Sequence, residues 1–249
     1  MKVSKNELSA ALKKSFEGLG FSYGDYIDAA AMVSWTQMTG LNGLELLDRA
    51  LPFLDSATGQ SRALSYSSDS AIPVLDAKGA SCLLCASQMI DLACALACNN
   101  QSVTLRLDNC RNRLFVLERL SNAAQRGLNL AAGWYRQNNF YMATIAAGES
   151  FPILKTFPCK IEDLEIEQSL FIICTIDQAS LPDLMAEVLP IQVCHQTGNI
   201  YSSESLQQAW ADALEQGIDM PSTLWEKLSQ LTARVLVEST ESSRAGAGE

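Results

Sequence analysis

Four cysteines lie close together in the sequence and are the first candidates for chemistry. Cys82, Cys85, Cys94 and Cys98 give the spacing C-x2-C-x8-C-x3-C, which superficially resembles a metal site. The segment is predicted to be one helix, in which Cys82 and Cys94 would lie about 18 Å apart along the axis, too far to share a zinc ion. We therefore expect buried thiols and no bound metal. Cys82, near the predicted start of the helix, could have a lowered pKa, which leaves a redox role open.

The single histidine of the chain, His195, is the natural candidate for acid–base chemistry near neutral pH. It follows an apolar run and precedes Thr197-Gly198-Asn199, which predicts the end of a strand or a turn. A site with two histidine ligands cannot be built from one residue. We favour a partly exposed loop histidine, with a general base as the alternative.

The remaining polar candidates are a few charged side chains and one asparagine, and they would bind a small organic or amino acid. For Arg111 and Arg113 the alternative interpretation, which we favour, is a solvated first turn of a helix. No G-x-x-x-x-G-K-[ST] and no G-x-G-x-x-G after a strand occurs, so no Rossmann dinucleotide site is predicted. The candidate substrate-binding residues are Asn42, Asp108, Arg111, Arg113, His195 and Arg244.

Composition excludes several classes of protein. The chain has 18 basic and 28 acidic residues, a net charge of −10, which disfavours binding to nucleic acid. Apolar residues make up 48% and charged residues 18%, as in globular proteins. We find no run of about 20 apolar residues and no secretory signal, which predicts a cytoplasmic protein without a membrane segment. In that compartment the eight cysteines are expected to stay reduced.

Apolar periodicity predicts helices at both ends of the chain and a mixture of helices and strands between them. Ser4-Lys5-Asn6-Glu7 has the form of a capping box, which predicts the start of the first helix. Asn42-Gly43-Leu44-Glu45 predicts a second capping box. The predicted helices cover residues 4–18, 22–39, 42–54, 79–99, 112–125, 203–216 and 222–237, and the predicted strands cover 72–76, 102–108, 128–134, 140–147 and 169–176.

These elements divide the chain into four predicted parts. Residues 1–70 form an N-terminal helical segment, and residues 71–200 form an α/β sheet domain. Residues 201–237 form C-terminal helices that pack on the N-terminal segment. Residues 238–249 are a tail.

The order of the segments resembles that of the malate/L-lactate dehydrogenase family that does not use a Rossmann fold. In that family an alanine-rich helix leads to an Asp-(Leu)-x-Gly-x-x-Ser-His-Gly loop, and "AAAMVSWTQMTGLNGLELL" follows the same course with Gly40 and Gly43 in place. The family's next strand, glycine, long helix, strand and Arg-Asn-Ser-x-His-Phe-Gly motif correspond to residues 74–113. The likeness covers about the first 155 residues. It implies an α/β fold with helical ends around a middle, mostly antiparallel sheet.

The departures from this family concern its catalytic residues. The family's loop histidine falls at Asn42, and its following arginine falls at Leu46 or Leu47. The second histidine segment reads Leu107–Asn112 and holds no histidine. In the family that histidine protonates the substrate carbonyl during hydride transfer, which an asparagine cannot do. The chain is also shorter than those enzymes and lacks a match to their later cofactor-contacting segments, so no cofactor is expected.

The C-terminus resembles that of an uncharacterised bacterial family of unknown function, whose members end in Ser-Arg-x-Gly-Ala-Gly. The tail is either mobile, as its composition indicates, or folded into a site. The matching residues are Gly40, Gly43, Trp134, Ser243, Arg244, Gly246, Ala247 and Gly248.

The sequence therefore predicts a catalytically diverged relative of the malate/L-lactate dehydrogenases that is not itself a dehydrogenase. It would bind a small organic acid or act as a regulatory or partner subunit, as a homodimer or in a heteromer with a dehydrogenase-like protein. The alternative is an enzyme of unknown reaction on a small organic or amino acid, using residues other than the absent histidines.

Overall fold

The computed structural model describes residues 1–56, 64–67, 72–159, 168–189 and 198–235, and it confirms a mixed α/β fold. Eight α-helices flank a mostly antiparallel sheet in this part of the chain. The helices are α1 (Lys5–Gly18), α2 (Tyr23–Met38), α3 (Gly43–Ser56), α4 (Cys82–Asn100), α5 (Val116–Gln125), α6 (Leu181–Val188), α7 (Ser203–Gln216) and α8 (Ser222–Ala233).

Ten strands form two sheets among the described residues. The large sheet has the order β2-β3-β4-β8-β5-β6-β7-β9, in which only β3 and β4 run parallel, and β1 pairs with β10. The strands are β1 (Lys2–Val3), β2 (Ser65–Ser67), β3 (Val74–Asp76), β4 (Ser102–Asp108), β5 (Asn129–Arg136), β6 (Asn139–Ile145), β7 (Ile153–Pro158), β8 (Leu170–Thr175), β9 (Ile200–Tyr201) and β10 (Ile218–Asp219).

Local sequence patterns account for the best-predicted elements. The capping box at the start of α1 is confirmed: the Ser4 N–H donates to Glu7 Oε2 at 2.7 Å, and the Glu7 N–H donates to Ser4 Oγ at 3.2 Å. The continuous apolar run of β8 is the predicted inner strand, buried along its whole length between β4 and β5. The strands β1, β2, β7, β9 and β10 and helix α6 were not predicted, because short segments carry too little periodicity.

Helix α4 is the apolar centre of the fold. By length and composition it could cross a membrane, but 56% of its most apolar window is buried inside the protein, as in the core helix of a soluble protein. Its buried side chains pack against α2, α5, β4 and β8. This burial explains the apolar character of the helix without a partner chain, and the dimer stays a prediction.

Helices α1 and α8 pack closely because a glycine lies at their contact. A Cβ atom on Gly18 would lie 2.0 Å from the carbonyl oxygen of Leu231. The Ser15 hydroxyl donates to the Leu228 carbonyl at 3.0 Å, so a hydrogen bond joins the same two helices. The N-terminal strand β1 also pairs with β10, the short strand that precedes α8.

Replacing Gly18 with alanine tests this contact. We expect Gly18→Ala to lower the free energy of unfolding by about 1–3 kcal/mol, because the methyl group must displace the backbone of α8. Gly24→Ala is the matched control, since nothing lies within 4 Å of its added Cβ and the helix propensity of alanine is higher. Equal stability of the two variants in urea unfolding would contradict a close contact at Gly18.

Candidate functional site

The turn after β4 carries several of the predicted site residues. Asn109 (φ 54°) and Asn112 (φ 56°) both adopt the left-handed conformation, which asparagine tolerates better than most residues. These two residues bend the chain away from β4 and then into the helical segment that leads to α5. Arg111 and Arg113 lie on this turn, which we call the arginine turn (residues 109–113).

Backbone hydrogen bonds fix the arginine turn to the start of α4. The Arg111 N–H donates to the Ala80 carbonyl at 2.9 Å, and the Cys82 N–H donates to the Arg111 carbonyl at 2.8 Å. On the other side, the Cys110 N–H donates to the Gln168 carbonyl at 3.1 Å. The position of the turn is thus set by main-chain contacts that do not depend on the arginine side chains.

A cavity of about 350 Å³ opens beside the arginine turn, and we call it the arginine cavity. Helix α3 contributes one side, and the ends of β5 and β6 contribute the other. Its lining consists of Leu46, Arg49, Cys110, Arg111, Asn112, Arg113, Leu114, Phe115, Trp134, Arg136, Tyr141 and Gln168.

A second cavity of about 250 Å³ adjoins the first, and it includes the corner between α2 and α3. Asn42 and Glu45 lie in its lining. Five residues belong to both cavities, so the two are neighbouring parts of one cleft. The shared residues are Leu46, Arg49, Leu114, Arg136 and Tyr141.

The cleft is basic although the protein as a whole is acidic. Four arginines and one carboxylate, Glu45, line it. Glu45 forms an ion pair with Arg49, so only one arginine is neutralised within the lining. In the described part of the chain, Arg111 and Arg136 have no acidic partner, and the Arg111 guanidinium lies 4.9 Å from the centre of the Phe53 ring. The cleft therefore carries positive charge that no described carboxylate balances.

Arg113 has a structural role within the same lining. Its Nη1 donates to the Cys110 carbonyl at 2.9 Å, and its Nη2 donates to the Tyr135 carbonyl at 2.6 Å. The side chain thus ties the arginine turn to β5. Two of its donors are used by main-chain oxygens, which distinguishes it from Arg111 and Arg136.

An aromatic pair lies in the wall of the arginine cavity. Trp134 on β5 and Tyr141 on β6 are directly opposite in the antiparallel register. Their rings stack with centroids 5.4 Å apart and planes 10° apart. Trp134 is buried and Tyr141 is half-buried, so the pair gives the cavity a flat apolar wall with one phenolic hydroxyl.

Asp108 does not line the cleft. Its carboxylate accepts hydrogen bonds from Arg106 Nη2 at 2.9 Å and from the Ser169 hydroxyl at 2.7 Å. The Arg106 contact lies within β4, and the Ser169 contact ties β4 to the residue before β8. The predicted candidates His195 and Arg244 lie outside the described residues.

Asn42 lies in the lining and directly before α3, where its carbonyl accepts from the Leu46 N–H at 3.1 Å, but Gln37 takes the place of its side chain in capping the Leu44 N–H. Asn42 adopts a left-handed conformation (φ 55°), and the Leu44 N–H of α3 donates to Gln37 Oε1 at 3.0 Å. Gly43 is required by close packing, because a Cβ there would lie 2.6 Å from the Val33 carbonyl oxygen. Gly40 has a φ of +77°, which favours glycine.

Sequence reasoning missed three of the polar residues in the cleft. Arg49 lies one helical turn after Glu45 and has the pattern of a solvated ion pair. Arg136 is the last residue of β5, and Tyr141 follows the tight turn into β6. The positions of Arg136 and Tyr141, at the end of one strand and near the start of the next, were the signal in the sequence that could have identified them.

The cysteines form contacts that the sequence did not predict. Hydrogen bonds from the Cys82 and Cys85 thiols hold the pKa of Cys110 well below its usual value, and the Arg113 guanidinium acts in the same direction. The possibility of a lowered pKa for Cys82 is contradicted, because the neighbouring Cys110 thiol and burial raise that pKa. Cys94 lies next to Cys174 and not next to Cys82 or Cys85. No cluster suited to a metal occurs among the described residues.

Comparison with known proteins gives one family match. Residues 3–112 match the family described as "Protein of unknown function (DUF3726)". This region contains α1 to α4, β4 and most of the arginine turn. The match confirms the resemblance to a family of unknown function. No curated protein matches the chain.

The fold is that of malate/lactate dehydrogenase-like proteins. The malate dehydrogenase from Pyrococcus horikoshii superposes with a TM-score of 0.68 at 12% identity, over 96% of this chain and 96% of that chain. A dehydrogenase from Sinorhizobium meliloti gives 0.64 at 12% identity, over 93% and 99%. The delta1-piperideine-2-carboxylate reductase from Pseudomonas syringae pv. tomato gives 0.57 at 11% identity, over 93% and 99%.

The structural likeness extends beyond the part of the chain that carries the sequence resemblance. The superposition with the Pyrococcus enzyme spans 96% of both chains, whereas the sequence resemblance covers about the first 155 residues. Identities of 12% or less show a shared fold and leave the activity of this protein open.

Substitution by methionine tests the different roles of Arg113, which binds main-chain carbonyls, and Arg111, which has no acidic partner among the described residues. We expect Arg113→Met to lower the free energy of unfolding by about 1.5–3 kcal/mol, because two main-chain carbonyls lose a charged donor. Arg111→Met should change it by about 0.5 kcal/mol or less, since this side chain is exposed. Urea unfolding measures both values, and a reversed order would contradict these roles.

Proposed function

We propose that this protein binds a small organic anion in the cleft and does not transfer hydride to or from a nicotinamide cofactor. The observation that carries the proposal is that Arg111 and Arg136, without described acidic partners, line one cavity. A guanidinium group matches the geometry of a carboxylate or a phosphate and binds it with two parallel hydrogen bonds. The net charge of −10 makes this local excess of positive charge unusual for the chain.

The size and wall of the cavity support a small ligand. A volume of about 350 Å³ is at the lower end of the range of small-molecule sites. The stacked Trp134 and Tyr141 rings offer an apolar surface beside the arginines. A compact organic acid, with one anionic group and a short carbon skeleton, fits both features.

The residue types in the cleft argue against dehydrogenase chemistry. The resemblance to the dehydrogenase family places its two histidines near Asn42 and Asn112, and both asparagines line the cleft. An amide side chain does not exchange a proton near neutral pH, so neither residue serves as a general acid. The family's arginine position is also apolar here, at Leu46 or Leu47. The donor set therefore does not fit the reaction that a nicotinamide cofactor would support.

Anion binding can be measured by calorimetry with a panel of small mono- and dicarboxylates and inorganic phosphate. We expect saturable binding of at least one carboxylate that weakens as salt is added. Arg136→Met should weaken it about tenfold or more, because a hydrogen bond to a charged group contributes about 1.5–3 kcal/mol.

Arg126→Met is the matched control for the binding experiment. Arg126 pairs with Asp91 on the surface and does not line the cleft, so its loss should leave binding unchanged. Absence of binding across the panel, or equal losses in the two variants, would contradict the proposal. Chemical conversion of the bound anion would favour the alternative of an enzyme with a different set of residues.

Dehydrogenase activity is tested with NADH or NADPH and 2-oxo acids, and in reverse with malate, lactate and other 2-hydroxy acids. We expect no cofactor-linked turnover by the wild-type protein, because a positioned proton donor typically contributes about 10²- to 10⁴-fold to such a rate. Asn112→His should remain inactive, since the family's substrate-binding arginine is still replaced by leucine, at Leu46 or Leu47. A gain of activity in Asn112→His would show that the cleft has kept the remaining dehydrogenase machinery.

A further inference from the structure

Three cysteine thiols meet behind the wall of the arginine cavity. The sulfur atoms of Cys85 and Cys110 lie 3.8 Å apart, and Cys82 is close enough to lower the pKa of Cys110. Cys110 lines the cavity, whereas Cys82 and Cys85 lie behind it on the first turn of α4. The main-chain contacts between the arginine turn and α4 create this cluster from cysteines that are 25 residues apart.

We propose that Cys110 and Cys85 form a redox-sensitive pair, in which a hydroperoxide that enters the arginine cavity oxidises Cys110 and Cys85 then closes a disulfide bond. The proposal assigns a modification site to this cluster. It does not depend on the organic anion, because the reaction needs only the two thiols and the peroxide.

The chemistry follows the usual route of thiol oxidation. The Cys110 thiolate attacks one peroxide oxygen, the O–O bond breaks, and Cys110 becomes a sulfenic acid while hydroxide or alkoxide leaves. The Cys85 sulfur then attacks the Cys110 sulfur, the S–O bond breaks, and water leaves with the Cys85 proton. In sum, two thiols lose two hydrogens and two electrons, and one hydroperoxide is reduced to water and an alcohol, or to two waters.

The geometry assigns different roles to the two residues. Cys110 is the member of the cluster that lines the cavity and is 1% exposed, so it is the residue that the peroxide has to reach. Cys85, also 1% exposed, needs no contact with the oxidant because it reacts only with the oxidised Cys110. A disulfide bond of about 2.05 Å requires each sulfur to move by roughly 0.9 Å, which a small side-chain rotation supplies.

Cys85 is a better partner than Cys82. The Cys85 sulfur lies 3.8 Å from the Cys110 sulfur, and its thiol also donates to the Ser81 carbonyl at 3.2 Å. The Cys82 thiol is directed at the Arg113 carbonyl oxygen, 4.0 Å away. Bond formation would pull Cys110 toward α4. Since the Cys110 carbonyl accepts from Arg113, this movement would change the arginine turn and the wall of the cavity.

Peptide mass spectrometry of the reduced full-length protein treated with hydrogen peroxide tests the pair. After treatment and alkylation of the remaining thiols in denaturant, we expect a peptide pair joined through Cys85 and Cys110 that is lighter by two hydrogens than the reduced peptides. Dithiothreitol should reverse it. In Cys85→Ser the link should be lost, and dimedone should instead label a sulfenic acid at Cys110.

Cys98→Ser is the control variant, because Cys98 is exposed on the same helix and lies outside the cluster. It should form the Cys85–Cys110 link to the same extent as wild type. Oxidation confined to Cys98 while Cys110 stays reduced would overturn the proposal. A link from Cys110 to Cys82, or to any other cysteine, would overturn the assignment of Cys85. The wild-type measurement decides the question even if a variant does not fold.

Discussion

The main-chain contact between the arginine turn and the N-terminus of α4 is the constraint on which the site depends. Arg111 is held through both its N–H and its carbonyl by residues 80 and 82, so the turn cannot move without disturbing the start of the core helix. Left-handed Asn109 and Asn112 let the chain follow this path. One short segment thereby places an arginine in the cleft, anchors Arg113 on β5, and brings Cys110 to the thiols of α4.

Packing contacts that involve no catalytic residue maintain the dehydrogenase-like fold around the cleft. Packing sets the positions of the cleft walls: Gly43 allows α3 to approach α2, and the β5–β6 register places Trp134 beside Tyr141. None of these contacts requires a histidine. Asparagine at positions 42 and 112 is compatible with the backbone, since both residues adopt left-handed conformations. The low identities to the solved dehydrogenases show a shared fold and leave the reaction open.

The basic cleft and the cysteine cluster adjoin each other at Cys110. The Arg113 guanidinium binds the Cys110 carbonyl and also favours the Cys110 thiolate. An anion in the cleft and a peroxide would approach through the same cavity. The proposed anion binding and the proposed thiol oxidation thus share a wall, although neither requires the other.

Local sequence determined the elements, whereas tertiary structure determined the site. The capping box at Ser4, the alternation in β4 and the apolar run of β8 were predictable because neighbours within one or two turns produce those patterns. Arg111 and Arg113 were candidates from residue type alone. The sequence could not predict that Arg113 would bind main-chain carbonyls while Arg111 has no acidic partner among the described residues, nor that Arg136 would line the same cleft. Both results depend on the strand order β4-β8-β5-β6, which brings together side chains distant in sequence, and no local pattern encodes that order.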